Sequence, residues 1–162
     1  IKKDMRRGYN KKVKNAEEVK ADGIKFRSKL EKFTYLMLKT AKIECDYEKI
    51  CFVLQDGFKS GCTIYQKGTE KGKKIFKQKP KSIREMTYTP DFVNKDWGIE
   101  KKWIIEVKGF ETDGYKLKKK LFLKQLDNIN ANILYLIPSN KKEVLECISI
   151  IRKLKWVWKK KI

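Results

Sequence analysis

Trp103-Ile104-Ile105-Glu106-Val107-Lys108-Gly109 is apolar for three residues and then closes on a carboxylate, a valine, an ammonium and a glycine. The apolar run predicts a strand covered on both faces, and Gly109 predicts its end. Alternate side chains of a strand share a face, so Glu106 and Lys108 point one way while Ile105 and Val107 enter the opposite layer. Burying such charges is costly unless something pairs with them.

Working outward, Glu85 to Val93 is β-prone through Met86, Thr87, Tyr88, Thr89 and Phe92. Pro90 cannot donate to a ladder, so this strand is at an edge, bulged or ending there, and the irregularity falls beside Asp91. On a neighbouring strand, Asp91 lies next to Glu106. Downstream, Asp113 is expected to cap a helix to about Asn128 carrying Leu117, Leu121, Phe122 and Leu126, with Lys116, Lys118, Lys119 and Lys120. Ala131 to Ile137 reads as a buried strand bounded by Pro138, and a helix between two strands predicts a parallel pair. Val144, Ile148, Ile151 and Leu154 define a last amphipathic helix running into Lys155-Trp156-Val157-Trp158-Lys159-Lys160-Lys161.

In the other direction, Leu30, Phe33, Met37 and Ala41 recur at helical spacing after the turn-forming Asp22-Gly23, in a stretch that opens at Ile24. Ser28-Lys29-Leu30-Glu31 fits a capping box at that helix's start. Ile43 to Leu54 suits a strand ending at Asp56-Gly57. Residues 57–81 hold four glycines and eight lysines with Phe58, Tyr65 and Phe76 interleaved, which predicts a projecting hairpin or loop, either a solvated insertion or a contact with DNA. The expected organisation is a basic arm over 1–22, a single domain over 23–154 with the insertion at 57–81, and a basic Trp-containing tail over 155–162. The chain begins at Ile1 rather than Met, so upstream residues are expected.

Across 162 residues, 41 Lys and Arg against 20 Asp and Glu leave a formal charge of +21. Such a field favours a polyanion, with nucleic acid first because neutralising phosphate releases counterions, and a membrane surface or acidic protein as rivals. The absence of histidine excludes Ser-His-Asp, Cys-His and His-metal chemistry. Cys45, Cys51, Cys62 and Cys147 show no CxxC spacing and, with no signal peptide or long apolar run, predict free thiols in a reducing cytoplasm and no membrane.

Two carboxylates side by side repel unless a cation lies between them. Hard oxygen ligands suit Mg²⁺, with Mn²⁺ as substitute, and the Val107 carbonyl offers a further ligand. Lys108 is placed to orient or help deprotonate a water and to contact a phosphate, which is what phosphodiester hydrolysis requires.

Pro90-Asp91, fourteen residues, then Glu106-Val107-Lys108 resembles the motif of the PD-(D/E)xK nuclease superfamily. Thr87-Tyr88-Thr89-Pro90-Asp91-Phe92 with Ile105-Glu106-Val107-Lys108-Gly109 is most similar to small phage endonucleases, junction-resolving ones included. The resemblance covers about residues 24–137. It implies an α/β fold with a central mixed sheet of about four or five strands flanked by helices, in the αβββαβ order of restriction endonucleases. It also implies that Asp91 and Glu106 bind metal, that Lys108 assists the water, and that Glu31 binds metal or positions a water, against its alternative as a capping residue. A Mg²⁺-dependent endonuclease acting on branched or junction DNA in a phage-infected cell's cytoplasm is the leading expectation, working as a homodimer if it resolves junctions. A sequence-specific or general nuclease, or an idle DNA-binding module, stays open beside it. Lys116, Lys118, Lys119 and Lys120 are candidates for holding the DNA backbone or for a solvated helix face. Trp156 and Trp158 are candidates for base stacking or for a core anchor.

Overall fold

The computed structural model describes residues 19–79, 82–95, 97, 102–129 and 133–159. Residues 1–18 of the expected arm, and the side chains of Leu154, Trp156 and Trp158, lie outside them. The chain forms two compact units, Ile1–Glu44 with Pro138–Ile162, and Cys45–Ile137.

In the first unit, β1 (Val19–Ala21) and β2 (Ile24–Phe26) form an antiparallel hairpin closed by Asp22-Gly23. Both turn residues have positive φ, 49° and 76°, as a two-residue hairpin of right-handed twist requires. Ile24 therefore opens a strand and not the helical run. α1 (Lys29–Thr40) starts only at Ser28, whose Oγ accepts from the Glu31 amide at 3.1 Å. α3 (Lys141–Lys159) packs on α1, and Leu38, Val144, Cys147, Ile148 and Ile151 are buried. Asn140 caps α3, its Oδ1 accepting from the Glu143 amide at 3.0 Å while Glu143 Oε2 accepts from the Ser139 amide at 2.6 Å.

The second unit is built on a four-stranded mixed sheet. β3 (Cys45–Tyr47) and β11 (Trp103–Ile105) flank β10 (Phe92–Asn94) antiparallel, and β12 (Leu134–Leu136) lies parallel to β11. The chain between β11 and β12 passes through α2 (Asp113–Ile129), the crossover that makes a parallel neighbour possible. Thr112, not Asp113, caps this helix: its Oγ1 accepts from the Tyr115 amide at 3.2 Å and its carbonyl from that of Lys116 at 3.0 Å. α2 buries Tyr115, Phe122 and Leu126 with Val93 and Ile104 of the sheet. The Phe122 ring lies 4.5 Å from Tyr88, 4.9 Å from Phe52 and 5.6 Å from Tyr135 between centroids, in the tilted and edge-on arrangements that aromatic quadrupoles favour.

The two β-prone stretches of the sequence each divide. Ile43 to Leu54 gives β3 and then β4 (Phe52–Gln55), while Glu85 to Val93 gives β9 (Met86–Tyr88) and then β10, with Pro90 at the break. β4 pairs with β9 outside the four-stranded sheet. Along the same two chain segments follow β5 (Phe58–Lys59) with β8 (Ser82–Ile83), then β6 (Ile64–Glu70) with β7 (Lys73–Lys79). Lys71-Gly72, with φ of 45° and 79°, turns the last hairpin. The lysine-rich insertion is thus an ordered antiparallel ribbon.

Candidate functional site

Sheet register brings the expected residues together. Phe92 pairs with Ile105 and Val93 with Ile104, so one step further Asp91 stands opposite Glu106. Asp91 precedes its strand because the fully buried Pro90 has ended β9, and hydrogen bonds hold both its backbone and its side chain. Its carbonyl accepts from the Glu48 amide at 2.9 Å, and its Oδ2 accepts from the Val107 amide at 2.7 Å. The Glu106 amide donates to the Leu136 carbonyl at 2.9 Å, tying the end of β11 to β12. The two carboxylates are nearly buried, Asp91 at 7% and Glu106 at 5% exposure.

Glu106 is the tense member. Its Oε1 lies 3.6 Å from Lys108 Nζ, while Oε2 is buried without a hydrogen-bond partner. Burial pushes its carboxyl above the ordinary carboxylate value, against the pull of the Lys108 charge and the Tyr88 hydroxyl. Lys108 Nζ in turn lies 4.4 Å from the centre of the Tyr115 ring, so an aromatic face and a carboxylate hold the ammonium from two sides.

Three tyrosines that sequence reasoning had not grouped line this place. Tyr88 and Tyr135 hydroxyls are 2.8 Å apart, and Tyr115 and Tyr135 hydroxyls 3.2 Å. Burial raises all three phenols, that of Tyr135 to about 12, and the charge of Glu106 adds to each. They remain protonated at neutral pH and can donate. The signal in the sequence was a tyrosine in each of two strands and one helix, a residue that ordinarily reads as core.

The remaining candidates fall in different places. Glu31 belongs to the first unit, where its Oε2 accepts from the Arg27 amide at 3.0 Å and its Oε1 from the Ser28 hydroxyl at 2.9 Å, a formed capping box. On α2, Lys118 Nζ donates to the Thr87 carbonyl at 3.1 Å, Lys119 pairs with Glu111, and Lys116 pairs with Asp113 at 3.2 Å. Lys116 and Lys120 are exposed, Lys118 and Lys119 half-buried. Among the described residues no three Cys, Asp or Glu side chains converge as a metal-holding group. The described cysteines are free, and no described helix is long and apolar enough to cross a membrane.

This is a mixed α/β protein whose sheet carries a buried acidic pair and a lysine at one strand end. The chain belongs to the DUF1064 family, described as proteins of unknown function, whose model matches residues 11–142. No curated protein and no solved structure matches it.

Proposed function

We propose that this chain is a metal-dependent endodeoxyribonuclease of the PD-(D/E)xK type, acting on branched or junction DNA. The observation that carries the reading is the buried Glu106 Oε2, unpartnered and on the carboxylate that register sets opposite Asp91. Such an oxygen is expensive to keep dry, and a divalent cation between the two carboxylates would satisfy it. The donor set fits Mg²⁺ or Mn²⁺: two carboxylates and the Val107 carbonyl leave several positions to water, which a small, reluctantly dehydrated cation prefers. Bound there, the ion would supply Lewis-acid stabilisation of phosphoryl charge and a more acidic water.

The chain's own residues have separable tasks. Asp91 and Glu106 hold the ion, Asp91 pinned by the Val107 amide. Lys108, steered by Tyr115 and Glu106, orients the attacking water and meets the charge of the scissile phosphate. The chain order α1, β3, β10, β11, α2, β12 supports the αβββαβ core of that superfamily. The charge of +21 supports a DNA substrate. Action in a phage-infected cell's cytoplasm, and as a homodimer on a junction, belong to the same reading.

The test is cleavage of labelled linear, nicked, flapped and four-way DNA with Mg²⁺ or with EDTA. Asp91→Asn, Glu106→Gln and Lys108→Ala should each cost about a hundredfold or more in rate, because residues that act as a unit fail together. Near-normal turnover by any folded single variant would overturn the assignment. Equal rates on linear and four-way DNA would make the enzyme a general nuclease.

A further inference from the structure

The β6–β7 ribbon has two chemically different faces. Directly opposed residues of an antiparallel pair share a face, so Tyr65, Lys67 and Thr69 lie with Gln78, Phe76 and Lys74. All six are exposed, whereas on the other face Ile64, Gly68, Ile75 and Lys77 are half-buried and Gln66, Glu70 and Lys73 are exposed. The Lys77 stem lies across Gly68, where an added Cβ would meet its Cε at 2.9 Å, and its Nζ reaches the Thr69 carbonyl at 3.4 Å and Glu70 at 3.7 Å. Residues 64–79 contain six lysines and one acid, Glu70, and that acid is on the Lys77 face. The open face keeps lysines and no carboxylate.

On it the rings of Tyr65 and Phe76 stack at 5.9 Å between centroids and 28° between planes, still 54% and 73% exposed. A recess of about 500 Å³ runs beside Phe76, lined by Lys67, Thr69, Lys74 and Phe76 of this face and by Gly68 and Ile75 of the other. Flat rings flanked by ammonium groups suit a polyanion whose monomers carry aromatic faces. Paired bases have both faces occupied by their neighbours, so such rings would gain nothing from a duplex without unstacking it.

We propose that the open face of β6–β7 binds a nucleic-acid strand with unpaired bases, Phe76 and Tyr65 stacking on bases while Lys67 and Lys74 contact phosphate. The proposal rests on the nucleic-acid part of the reading above and names the substrate feature it recognises, the single-stranded element of a branch. The experiment measures affinity of the full chain for fluorescein-labelled oligo-dT and for a hairpin duplex, in EDTA, over a salt series. Phe76→Ala should weaken oligo-dT binding about fivefold to a hundredfold, the worth of one stacked base, with little change for duplex. Phe76→Trp should restore it and Phe76→Leu should not. Lys67→Ala with Lys74→Ala should reduce the log-log salt slope on single strand by about 1.4.

Wild-type affinity in Phe76→Leu, or equal losses on duplex and single strand, would overturn the site. So would binding of phosphatidylserine vesicles that depends on Phe76 while oligo-dT affinity does not. If Phe76→Ala alters the melting temperature, the Trp-to-Leu comparison between folded proteins decides. Because EDTA removes hydrolysis, Phe76-dependent binding by a protein that never cleaves DNA would overturn the nuclease and leave this site standing. Mg²⁺-dependent cleavage with Phe76-independent binding would do the reverse.

Discussion

A buried carboxylate needs a proton, a cation or hydrogen bonds to balance it, and at Glu106 the Lys108 ammonium stands 3.6 Å from Oε1 while Oε2 keeps no hydrogen-bond partner. Replacing Glu106 by Gln keeps the shape and removes the charge. The metal-free variant should be as stable as wild type or more stable by about 1 kcal/mol, since a charge held in a desolvated site is gone. Mg²⁺ titrated into wild type should raise its melting temperature by the equivalent of about 1 kcal/mol once the free ion is several-fold above its Kd, and should leave Glu106→Gln unmoved. Calorimetry checks both. A wild-type melting temperature indifferent to Mg²⁺ and Mn²⁺ would remove the metal from this site. The tyrosines show how little residue type alone reveals: Tyr88 and Tyr115 come from distant segments, and only the fold brings both hydroxyls within 3.2 Å of that of Tyr135, beside Glu106.

α1 and α3 each start on a capping box, and each acidic member makes a separate prediction. For α1, both Glu31 oxygens are engaged at the helix start, so Glu31→Ala should lower stability by about 1 kcal/mol and Glu31→Gln by less, with cleavage kept in Glu31→Gln. Loss of cleavage in a fully folded Glu31→Gln would instead place this carboxylate in the metal set. For α3, the Ser139 amide and then its hydroxyl hold the Glu143 carboxyl below its ordinary 4.5. A lowered folded-state value means stability that is present above 4.5 and lost as pH falls through the folded-state value. In acid titrations followed by circular dichroism, Glu143→Gln should lack that part of the decline. An unchanged acid limb would show that the Ser139 contact does not contribute. Periodicity made these helices legible, and the Ser28 and Glu31 pair marked one start. The α2 start was misread because Asp113 and Thr112 are both good caps, and only the amide directions distinguish them.

At the scale of the whole chain, the nuclease reading proposed above predicts that +21, distributed over arm, ribbon, α2 and tail, gives an affinity for DNA dominated by phosphate contacts. Engaging roughly six to ten phosphates gives a log-log salt slope of about −5 to −9, and a loss of about a thousandfold or more between 50 and 200 mM salt. Fluorescence anisotropy with four-way and linear duplex should show tighter binding to the junction, where more basic segments reach phosphate at once. A slope near zero would assign the charge excess to another kind of partner.

The sequence by itself determined the chemistry available and the local order of the chain. It set the absence of histidine, the acid pair with its lysine at a strand end, the break at Pro90, and the helix that makes β11 and β12 parallel. These are local matters of residue type, period and turn propensity. The tertiary structure decided what depends on long-range pairing: that Asp91 meets Glu106 in register, that the Tyr115 ring lies against the Lys108 ammonium, and that β6 and β7 pair into a ribbon with one aromatic face carrying lysines, because each of these joins residues far apart in the chain.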